Sequence, residues 1–576
     1  MQHEFFPTPA RTGDAHVLAE PPAGEYLRVI PLGGCGEIGR NMTVYETADD
    51  IVVIDAGVQF PEEEMMGVDL VINDMSYLLE RAAKVRGLLL THAHEDHIGG
   101  VPFFLAQLNV PVYGTGVTLA LLRGKLKEHK LLDVARVNVI DPGEIIKLGR
   151  LRGEFISITH SVAGSCSVAL RTPLGLVLHT GDYKFDQTPI DGHPSDIAAF
   201  ARCGEEGVLL LAGDSTNAEV PGHTASERVV GETFADIFSR CKGRIIITSF
   251  ASNVPRLQQA ADAAAQHDRK VCFVGRSMQN VSSIAIEHGY LAVAAGQLIR
   301  EHEIDAYPPH KVVICTTGSQ GEPTSALTRM AARDHRTVKL VRGDTIILSA
   351  TPIPGNERSV GRTINNLFKL GVNVIYGRDR MVHVSGHGCQ EELLLMLNLV
   401  RPKYFVPLHG EYRMLAQHVR LALKTGVPAS NAFVLENGDV LELTPDGAKP
   451  VGKTNGGPVF VDGLGVGDVG EVVLRDRKHL SADGMIVVTV TIDSSDGKVL
   501  AGPDITTRGF TFGQRTENDS IVEDVRRQAW QIIESGATQG LTEWTTIREH
   551  VHKGLQRFVY DRTKRRPMIV PVVMEV

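Results

Sequence analysis

Residues 88–100 have the sequence Leu-Leu-Leu-Thr-His-Ala-His-Glu-Asp-His-Ile-Gly-Gly. The three leucines predict a short buried strand, and the Ile-Gly-Gly that follows predicts a turn. His92, His94, Asp96 and His97 therefore come just after the carboxyl end of a strand, where α/β folds place their chemistry. His92 and His94 are two residues apart, so their side chains can point the same way in an extended chain. Asp96 and His97 lie just beyond and can face a second metal position. This mixture of imidazole and carboxylate groups is typical of a site for two zinc or manganese ions.

The composition predicts a globular protein of the cytoplasm. The chain has 576 residues, of which 43% are hydrophobic and 22% charged, enough for about three or four domains. No apolar run reaches the ~18 residues of a membrane span, and the first residues lack the basic start and apolar core of a secretory signal. The seven cysteines are scattered and form no Cys-x-x-Cys pair, which favours a reducing compartment. We therefore expect no membrane partner.

The charge balance gives no support for nonspecific binding to nucleic acid. The formal net charge is −9, which mildly opposes a protein that coats nucleic acid. Local basic surfaces are still compatible with this charge, although each is more often a solvated face. Two clusters are candidates: Arg123, Lys125, Lys127 and Lys130, and Arg562, Lys564, Arg565 and Arg566.

The patterns of strands and helices divide the chain into several parts. Short β-rich segments between glycine-rich turns predict sheet packed on sheet with helices outside. A later alternation of longer helices with apolar strands predicts a parallel α/β unit. The predicted parts are an N-terminal extension (1–25), a sheet-on-sheet part (26–215), an α/β insertion (216–375), a return to the first part (376–445), a glycine-rich linker (446–457) and a small C-terminal α/β domain (458–576).

One glycine motif suggests a nucleotide site that the following residues do not support. Residues 34–39 match Gly-x-Gly-x-x-Gly, a fingerprint that opens a helix in dinucleotide-binding folds. Here a β-rich segment, 41–45, follows instead, and Asp55 lies inside the next β-rich segment rather than after a helix. The motif therefore predicts a glycine-rich hairpin turn.

Further candidate ligands follow other predicted strands. His160 follows 155–159, Asp182 follows 175–180, and His409 follows a third apolar strand, while Asp214 ends another. Alone, His160 is more typical of a structural histidine, and Asp182 in a Thr-Gly-Asp turn is typical of a turn former. Beside the histidines of residues 92–97 they become predicted ligands, because a bridging carboxylate holds two cations about 3.5–4 Å apart in hydrolytic sites.

Together these motifs resemble a known family of nucleases. His-x-His-x-Asp-His, with a later His and Asp at strand ends, resembles the metallo-β-lactamase fold. The α/β insertion, with Asp214, His387 and His409 in that order, resembles the β-CASP nucleases within that fold. Four strings resemble bacterial ribonuclease J over almost the whole chain: residues 36–41, Gly-Glu-Ile-Gly-Arg-Asn; 383–388, His-Val-Ser-Gly-His-Gly; 409–413, His-Gly-Glu-Tyr-Arg; and 565–576, Arg-Arg-Pro-Met-Ile-Val-Pro-Val-Val-Met-Glu-Val.

The resemblance implies a fold and a metal centre. The fold would be α/β: a metallo-β-lactamase αββα sandwich with an inserted β-CASP α/β domain and a small C-terminal α/β domain. Two zinc ions would be bound per subunit, with Mn²⁺ or Mg²⁺ able to support activity. Asp182 would bridge the ions, and Asp214 and His387 match acid/base positions. The remaining ligands would be His92, His94 and His160 for one zinc, and Asp96, His97 and His409 for the other.

The resemblance also implies substrate-binding and structural positions. The segment that contacts RNA phosphate would be His383, Val384, Ser385, Gly386 and His387, and the 5′-terminal phosphate would be held near Ala251, Ser252 and Asn253. A structural calcium would lie near Met66, Val68, Asp69 and Asp462, and aspartate oxygens suit such a hard cation. The chain departs from the family after His160, where residues 161–166, Ser-Val-Ala-Gly-Ser-Cys, replace a Ser-Ile-Pro-acidic run. This change affects the shape of the loop more than the metal ligand.

The function implied is that of a ribonuclease acting in RNA maturation and decay. It would combine 5′→3′ exonuclease activity on 5′-monophosphate RNA with endonuclease activity, through a metal-bridged hydroxide that attacks the phosphodiester. Three alternatives are a small-molecule hydrolase such as a thioesterase or lactonase, an idle RNA-binding subunit, and a DNA-processing β-CASP nuclease. The large insertion argues against the first, the complete set of ligands against the second, and the ribonuclease J strings against the third.

The C-terminal domain has a closing segment, 568–576, that is strongly apolar. It would either meet a partner or complete the small core of its own domain. The resemblance favours self-association into a homodimer or homotetramer and participation in an RNA-degradation complex.

Overall fold

The computed structural model describes residues 18–62, 64–353, 356–377, 380–463, 465–511, 515–539 and 543–576. These residues form two compact units, one from residues up to 60 and 71–459, the other from 61–70 and 460–576. Residues 1–17 of the predicted N-terminal extension lie outside the described residues. None of the described helices combines the length and the apolar character that a membrane crossing requires.

The first unit contains twenty of the strands and twelve α-helices found in the described residues. The strands are β1 (Leu27–Gly33), β2 (Met42–Glu46), β3 (Ile51–Ile54), β4 (Leu70–Asn73), β5 (Val85–Leu89), β6 (Val112–Gly114), β7 (Val137–Val139), β8 (Ile145–Leu148), β9 (Leu151–Ser157), β10 (Cys166–Thr172), β11 (Gly175–His179), β12 (Val208–Asp214), β13 (Ile245–Thr248), β14 (Lys270–Val274), β15 (Val312–Thr316), β16 (Thr345–Leu348), β17 (Asn373–Ile375), β18 (Tyr404–Leu408), β19 (Asp439–Thr444) and β20 (Gly447–Lys453). The helices are α1 (Ser76–Leu79), α2 (Glu95–Ile98), α3 (Val101–Gln107), α4 (Gly116–Glu128), α5 (Ile197–Glu206), α6 (Arg228–Arg240), α7 (Val254–Gln266), α8 (Arg276–Glu287), α9 (Ala326–Ala331), α10 (Glu357–Lys369), α11 (Gln390–Val400) and α12 (Tyr412–Lys424).

Two sheets pack face to face in this unit. Their strand orders are β20-β19-β1-β2-β3-β5-β6-β7 and β18-β12-β11-β10-β9-β8. Apolar side chains from both, including Leu89 and Phe155, form the core between them. Helices α1 to α4 cover the outer face of the first sheet, and α5, α11 and α12 cover the outer face of the second. This four-layer αββα arrangement confirms the predicted fold class.

The predicted α/β insertion is built around a separate five-stranded sheet. Its order is β14-β15-β13-β16-β17, and every pairing is parallel. Strands such as Ile245–Thr248 are buried throughout, as expected when helices cover both faces of a parallel sheet. Helices α6, α7 and α8 pack in the core on one side, and α9 and α10 in the core on the other.

Strand pairing shows what two glycine-rich stretches of the sequence form. β1 and β2 pair antiparallel across residues 34–41, which confirms the predicted hairpin turn. The predicted linker 446–457 differs from the structure, because Gly447–Lys453 forms β20 and pairs with β19, Leu443 opposite Ala448. Pro445 and Asp446 form the two-residue turn between them. An edge strand tolerates such a composition, since only one of its sides needs partners.

The second unit contains a small sheet covered by two helices. Its elements are β21 (Pro458–Asp462), β22 (Gly465–Val466), α13 (Glu471–Asp483), β23 (Met485–Ile492), β24 (Val499–Arg508), α14 (Arg515–Thr538), α15 (Trp544–Thr563) and β25 (Met568–Glu575). The sheet order is β24-β23-β25. Alternate residues of β23 are buried against α14 and α15, the pattern of a half-buried strand. The closing segment is therefore a strand of its own unit's sheet, parallel to β23.

Candidate metal centre

Each candidate ligand follows a strand. β11, β12 and β18 are neighbouring parallel strands, so their carboxyl ends lie at one edge of the second sheet. Asp182 follows β11, Asp214 ends β12, and His409 follows β18. His160 comes after β9, and residues 92–97 run from the end of β5 into α2. Sheet topology thus gathers side chains from distant parts of the chain.

Seven side chains converge in two groups that share Asp182. Within each group the candidate ligand atoms lie within 4.8 Å of one another. The first group is His92, His94, His160 and Asp182, and the second is Asp96, His97, Asp182 and His409. All seven residues of the predicted metal centre are therefore brought together.

Asp182 lies at the centre of both groups. Its Oδ2 is 3.6 Å from His92 Nε2, 3.2 Å from His97 Nε2 and 3.8 Å from His409 Nε2. Two ligands of one tetrahedral zinc, each ~2.0–2.1 Å from it, lie roughly 3.3 Å apart, so these separations accommodate an ion. Asp182 Oδ1 is buried and has no hydrogen-bond partner among the described residues. A buried carboxylate oxygen is costly without a compensating positive charge, so this donor set fits two cations that share Asp182.

Burial and nearby carboxylates set the charges of the histidines. Burial lowers the pKa of His92 and His160 and brings that of His94 to about 4, so these rings are neutral at pH 7, the form that binds metal. Burial also disfavours charge on His97 and His409, but Asp182 and its neighbours outweigh it. They raise the pKa of both, that of His409 to about 10. Cation binding at neutral pH must therefore release protons from the second group.

Asp55, named so far only in connection with the dinucleotide fingerprint, orients two of the ligands. It follows β3 with a φ of +62° and is buried. Its Oδ2 is 2.7 Å from His97 Nδ1, and its two oxygens accept hydrogen bonds from the backbone and hydroxyl of Thr91, each at 2.8 Å. The same hydroxyl is 3.0 Å from His92 Nδ1, so both rings present Nε2 to Asp182. The missed signal was an aspartate directly after an apolar strand.

Asp214 connects His387 to His409. Its Oδ2 is 2.7 Å from His387 Nδ1. Its Oδ1 accepts a hydrogen bond of 2.9 Å from the Thr216 hydroxyl, which lies 2.5 Å from His409 Nδ1. Burial disfavours charge on His387, but Asp214 and Asp182 outweigh it and raise the pKa of His387. The His387 Nε2 is 3.9 Å from Asp182 Oδ2, so a protonated ring presents its N–H at the edge of the metal centre.

The segment 383–387 contacts the metal centre through its backbone. The Gly386 carbonyl oxygen is 2.7 Å from His160 Nδ1. A Cβ at this glycine would lie 2.6 Å from His160 Cε1, so a larger residue does not fit here. Ser385 Oγ accepts a hydrogen bond of 2.9 Å from Asn217 Nδ2. The segment therefore orients a predicted metal ligand as well as carrying His387.

The other predicted RNA-binding residues are more deeply placed. Val384 is buried and His383 is half-buried, and the burial of its ring lowers the pKa of His383 to about 4. Ala251 and Ser252 are half-buried after β13. Asn253 is buried, and its Oδ1 caps α7 by accepting a hydrogen bond of 3.0 Å from the backbone N–H of Arg256. The Asn253 side chain thus has a structural partner already.

Comparison with known proteins follows the same division of the chain. A model of the metallo-β-lactamase superfamily matches residues 35–276, and one of the ribonuclease J β-CASP domain matches 242–367. A Zn-dependent metallo-hydrolase RNA specificity domain matches 371–433, and the ribonuclease J C-terminal domain matches 472–576. Ribonuclease J 1 of Streptococcus pyogenes is 44% identical over 546 residues, which cover 95% of this chain and 97% of that protein. The chain belongs to the ribonuclease J family.

A second relative agrees with membership of the ribonuclease J family, and a solved structure shares the fold. Ribonuclease J2 of Bacillus subtilis is 43% identical over 552 residues, 96% of this chain and 99% of that protein. A solved structure of a protein of unknown function from Enterococcus faecalis V583 covers 73% of this chain and 100% of its own, with a TM-score of 0.52 and 16% identity. The predicted resemblance is confirmed, and so is metal binding as a property of this fold superfamily.

We expect Thr216→Val to impair this ribonuclease J centre without unfolding it. The hydroxyl is the link between Asp214 and His409, and loss of such an outer contact costs roughly 10–100-fold in metal affinity or activity. Metal titration and kcat for RNA cleavage would measure the effect. Thr216→Ser, which restores the hydroxyl, should recover most of both. Equal losses in the serine and valine variants would contradict this positioning role.

The residues of the predicted calcium site belong to the second unit. The backbone oxygen of Met66 and Oδ2 of Asp462 both accept hydrogen bonds from the Arg477 guanidinium, at 2.9 Å and 2.5 Å. Asp69 Oδ2 accepts one of 2.8 Å from the backbone N–H of Gly463, and Val68 is buried. A guanidinium already joins two of the predicted ligands, so these residues do not fit a calcium ion.

Proposed function

We propose that the protein is a metal-dependent ribonuclease that hydrolyses RNA phosphodiester bonds at the centre around Asp182. The observation that carries this proposal is the sharing of Asp182 by two ligand groups, with the Asp214–His387 pair beside them. Two closely spaced cations are typical of phosphodiester hydrolysis. We propose zinc as the resident ion, two per subunit, because histidine-rich four-ligand sets suit zinc. Mn²⁺ or Mg²⁺ should also support activity.

The side chains around the cations would divide the work of cleavage. When bound, the two cations would activate a water molecule and neutralise the charge that builds on the phosphate oxygens. His387 would donate its Nε2 proton to the departing 3′-oxygen, since Asp214 holds Nδ1 and favours the protonated ring. Asp55 and Thr216 would hold the rings of His97 and His409 in place.

We propose that RNA reaches this centre along a basic surface on α4. Lys125 forms a salt bridge of 2.5 Å with Glu95, which lies between two of the candidate ligands in the sequence. Arg123 and Lys127 are exposed one turn apart on α4, and Lys130 is exposed just after the helix ends. Such a surface can neutralise backbone phosphates while the chain as a whole remains acidic.

Whether the centre acts as an exonuclease or an endonuclease would depend on whether the RNA ends at the 5′-phosphate pocket or extends past it. If residues 251–253 hold a 5′-monophosphate while residues 383–387 contact the RNA phosphate, nucleotides are removed one at a time in the 5′→3′ direction. If RNA passes beyond that pocket, the same centre cuts internally. We propose both activities, in rRNA processing and mRNA decay. A cytoplasmic location agrees with seven free cysteines, and an RNA-degradation complex is the partner we expect.

An RNA with a 5′-monophosphate and a 3′ fluorophore tests this proposal, with Zn²⁺ or Mn²⁺ added. Release of mononucleotides supports the exonuclease, and slower decay of the 5′-triphosphate form supports a monophosphate pocket. Cleavage of a circular RNA supports the endonuclease. RNA that is bound but intact with either metal would favour the idle subunit, and rapid thioester hydrolysis without RNA cleavage would favour a small-molecule hydrolase. Preference for single-stranded DNA would favour the third alternative.

We propose that the second unit associates with copies of itself, as a homodimer or homotetramer. Its closing segment carries exposed apolar side chains at Val572, Met574 and Val576, and Trp530 and Trp544 are also exposed. Such exposed apolar surface is typical of an interface between proteins. Light scattering of the full chain should give a mass of at least two subunits, and Val572→Lys should lower it. A monomer at micromolar concentration would contradict this proposal.

A further inference from the structure

The positive charge at the predicted calcium site is supplied by the chain itself. Arg477, on α13, donates from Nη1 to the Met66 oxygen and from Nη2 to Asp462 Oδ2. A backbone carbonyl and a carboxylate are two of the ligand types that calcium uses. A guanidinium can satisfy both at once, because its donors lie in a fixed plane and form charge-assisted hydrogen bonds.

The surrounding backbone is shaped to the guanidinium. Gly67 has a φ of +75°, and a Cβ there would lie 2.7 Å from Arg477 Nη1. A larger residue would therefore push the guanidinium away from the Met66 oxygen. Asp69 contributes to the same junction by other bonds: its N–H donates to the Val461 oxygen at 2.8 Å, and its carboxylate accepts from Gly463.

We infer that Arg477 is the permanent structural cation of this site, and that it fastens residues 64–70 to the rest of the second unit without a divalent ion. A bound ion stabilises a fold only when its free concentration approaches or exceeds its Kd, and the stabilisation then grows with the logarithm of that concentration. A side chain in the same place acts at any calcium concentration. The junction should therefore be indifferent to calcium, unlike one that relies on a captured ion.

Hydrogen–deuterium exchange on the full, zinc-loaded chain tests this inference. Peptides covering 64–70 and 460–477 would be followed in buffer freed of calcium by a chelating resin and in millimolar Ca²⁺. The unaltered protein should exchange equally in both. Arg477→Met should exchange roughly tenfold faster without calcium, because two charge-assisted hydrogen bonds on a partly exposed side chain are lost. Added Ca²⁺ should slow this variant, since the freed oxygens can then accept the ion.

Arg475→Met is the matched control, because Arg475 is exposed on the same helix, and it should behave as the unaltered protein. Slower exchange of the unaltered protein in Ca²⁺ would overturn the inference, as would unchanged exchange in Arg477→Met. If the methionine variant does not fold, the comparison of the unaltered protein in the two buffers still decides. Arg477→Lys then provides a second test. One ammonium group cannot bond to the Met66 oxygen and to Asp462 with the geometry of the guanidinium, so exchange should again be faster.

Discussion

Asp182→Asn is expected to abolish RNA cleavage and to lower the metal content below two ions per subunit. Asp182 is the one residue common to both ligand groups, and its Oδ2 faces histidines of each. The amide keeps the shape of the side chain but removes the charge that would bridge two cations. We expect cleavage to fall at least ~10³-fold, since the charge stabilisation supplied by the cations would be lost.

Metal analysis of the purified variant, together with single-turnover cleavage of a labelled RNA, would measure both effects. Asp133→Asn is the control, because Asp133 is exposed and lies outside the two groups. It should retain full metal content and activity. If Asp182→Asn kept two tightly bound ions and normal cleavage, the bridging role would have to be abandoned.

His387→Ala is expected to lower cleavage by roughly 10²- to 10⁴-fold, the usual contribution of a general acid, while metal content stays near two per subunit. His387 lies outside the two groups that share Asp182 with the residues of 92–97, although a third grouping places it with Asp182, Asp214 and His409. Its Nδ1 bonds to Asp214, and its Nε2 points towards the centre. Its removal should therefore affect proton transfer far more than metal binding.

A substrate with a better leaving group distinguishes loss of a general acid from loss of a metal ligand as the cause of the slower cleavage. If His387 supplies a proton, an activated phosphodiester whose leaving oxygen needs none should be cleaved nearly as well by His387→Ala. His193→Ala, an exposed histidine, is the control and should be unchanged. Loss of an ion in His387→Ala would instead identify His387 as a ligand.

The ligands of the site were predictable because each follows an apolar strand. Parallel strands end at a common edge, so Asp182, Asp214 and His409 could be expected to meet even though the insertion separates them. Orienting residues were not predictable in the same way. Thr216 and His409 are 193 positions apart, and nothing in a Ser-Thr-Asn turn indicates that its hydroxyl bonds to an imidazole.

Two predictions, the linker and the calcium site, differ from the structure because contacts within the folded chain decide both. The glycine-rich stretch after β19 suggests a linker, yet it forms β20, because pairing at a sheet edge demands little of its side chains. The predicted calcium site came from the family resemblance, with Met66 and Asp462 among its residues. Arg477 is 411 positions from Met66, and its presence between them follows only from the folded chain.

The placement of His409 directly after β18, the last parallel strand of its sheet in the sequence, has a consequence for synthesis. β18 pairs with β12, and His409 lies 313 positions after Asp96, its neighbour in the second group. A growing chain on the ribosome contains every member of the first group once Asp182 has emerged. It lacks a member of the second group until residue 409 has left the exit tunnel. If cleavage needs both groups, the nascent chain therefore cannot cleave its own mRNA during most of its translation.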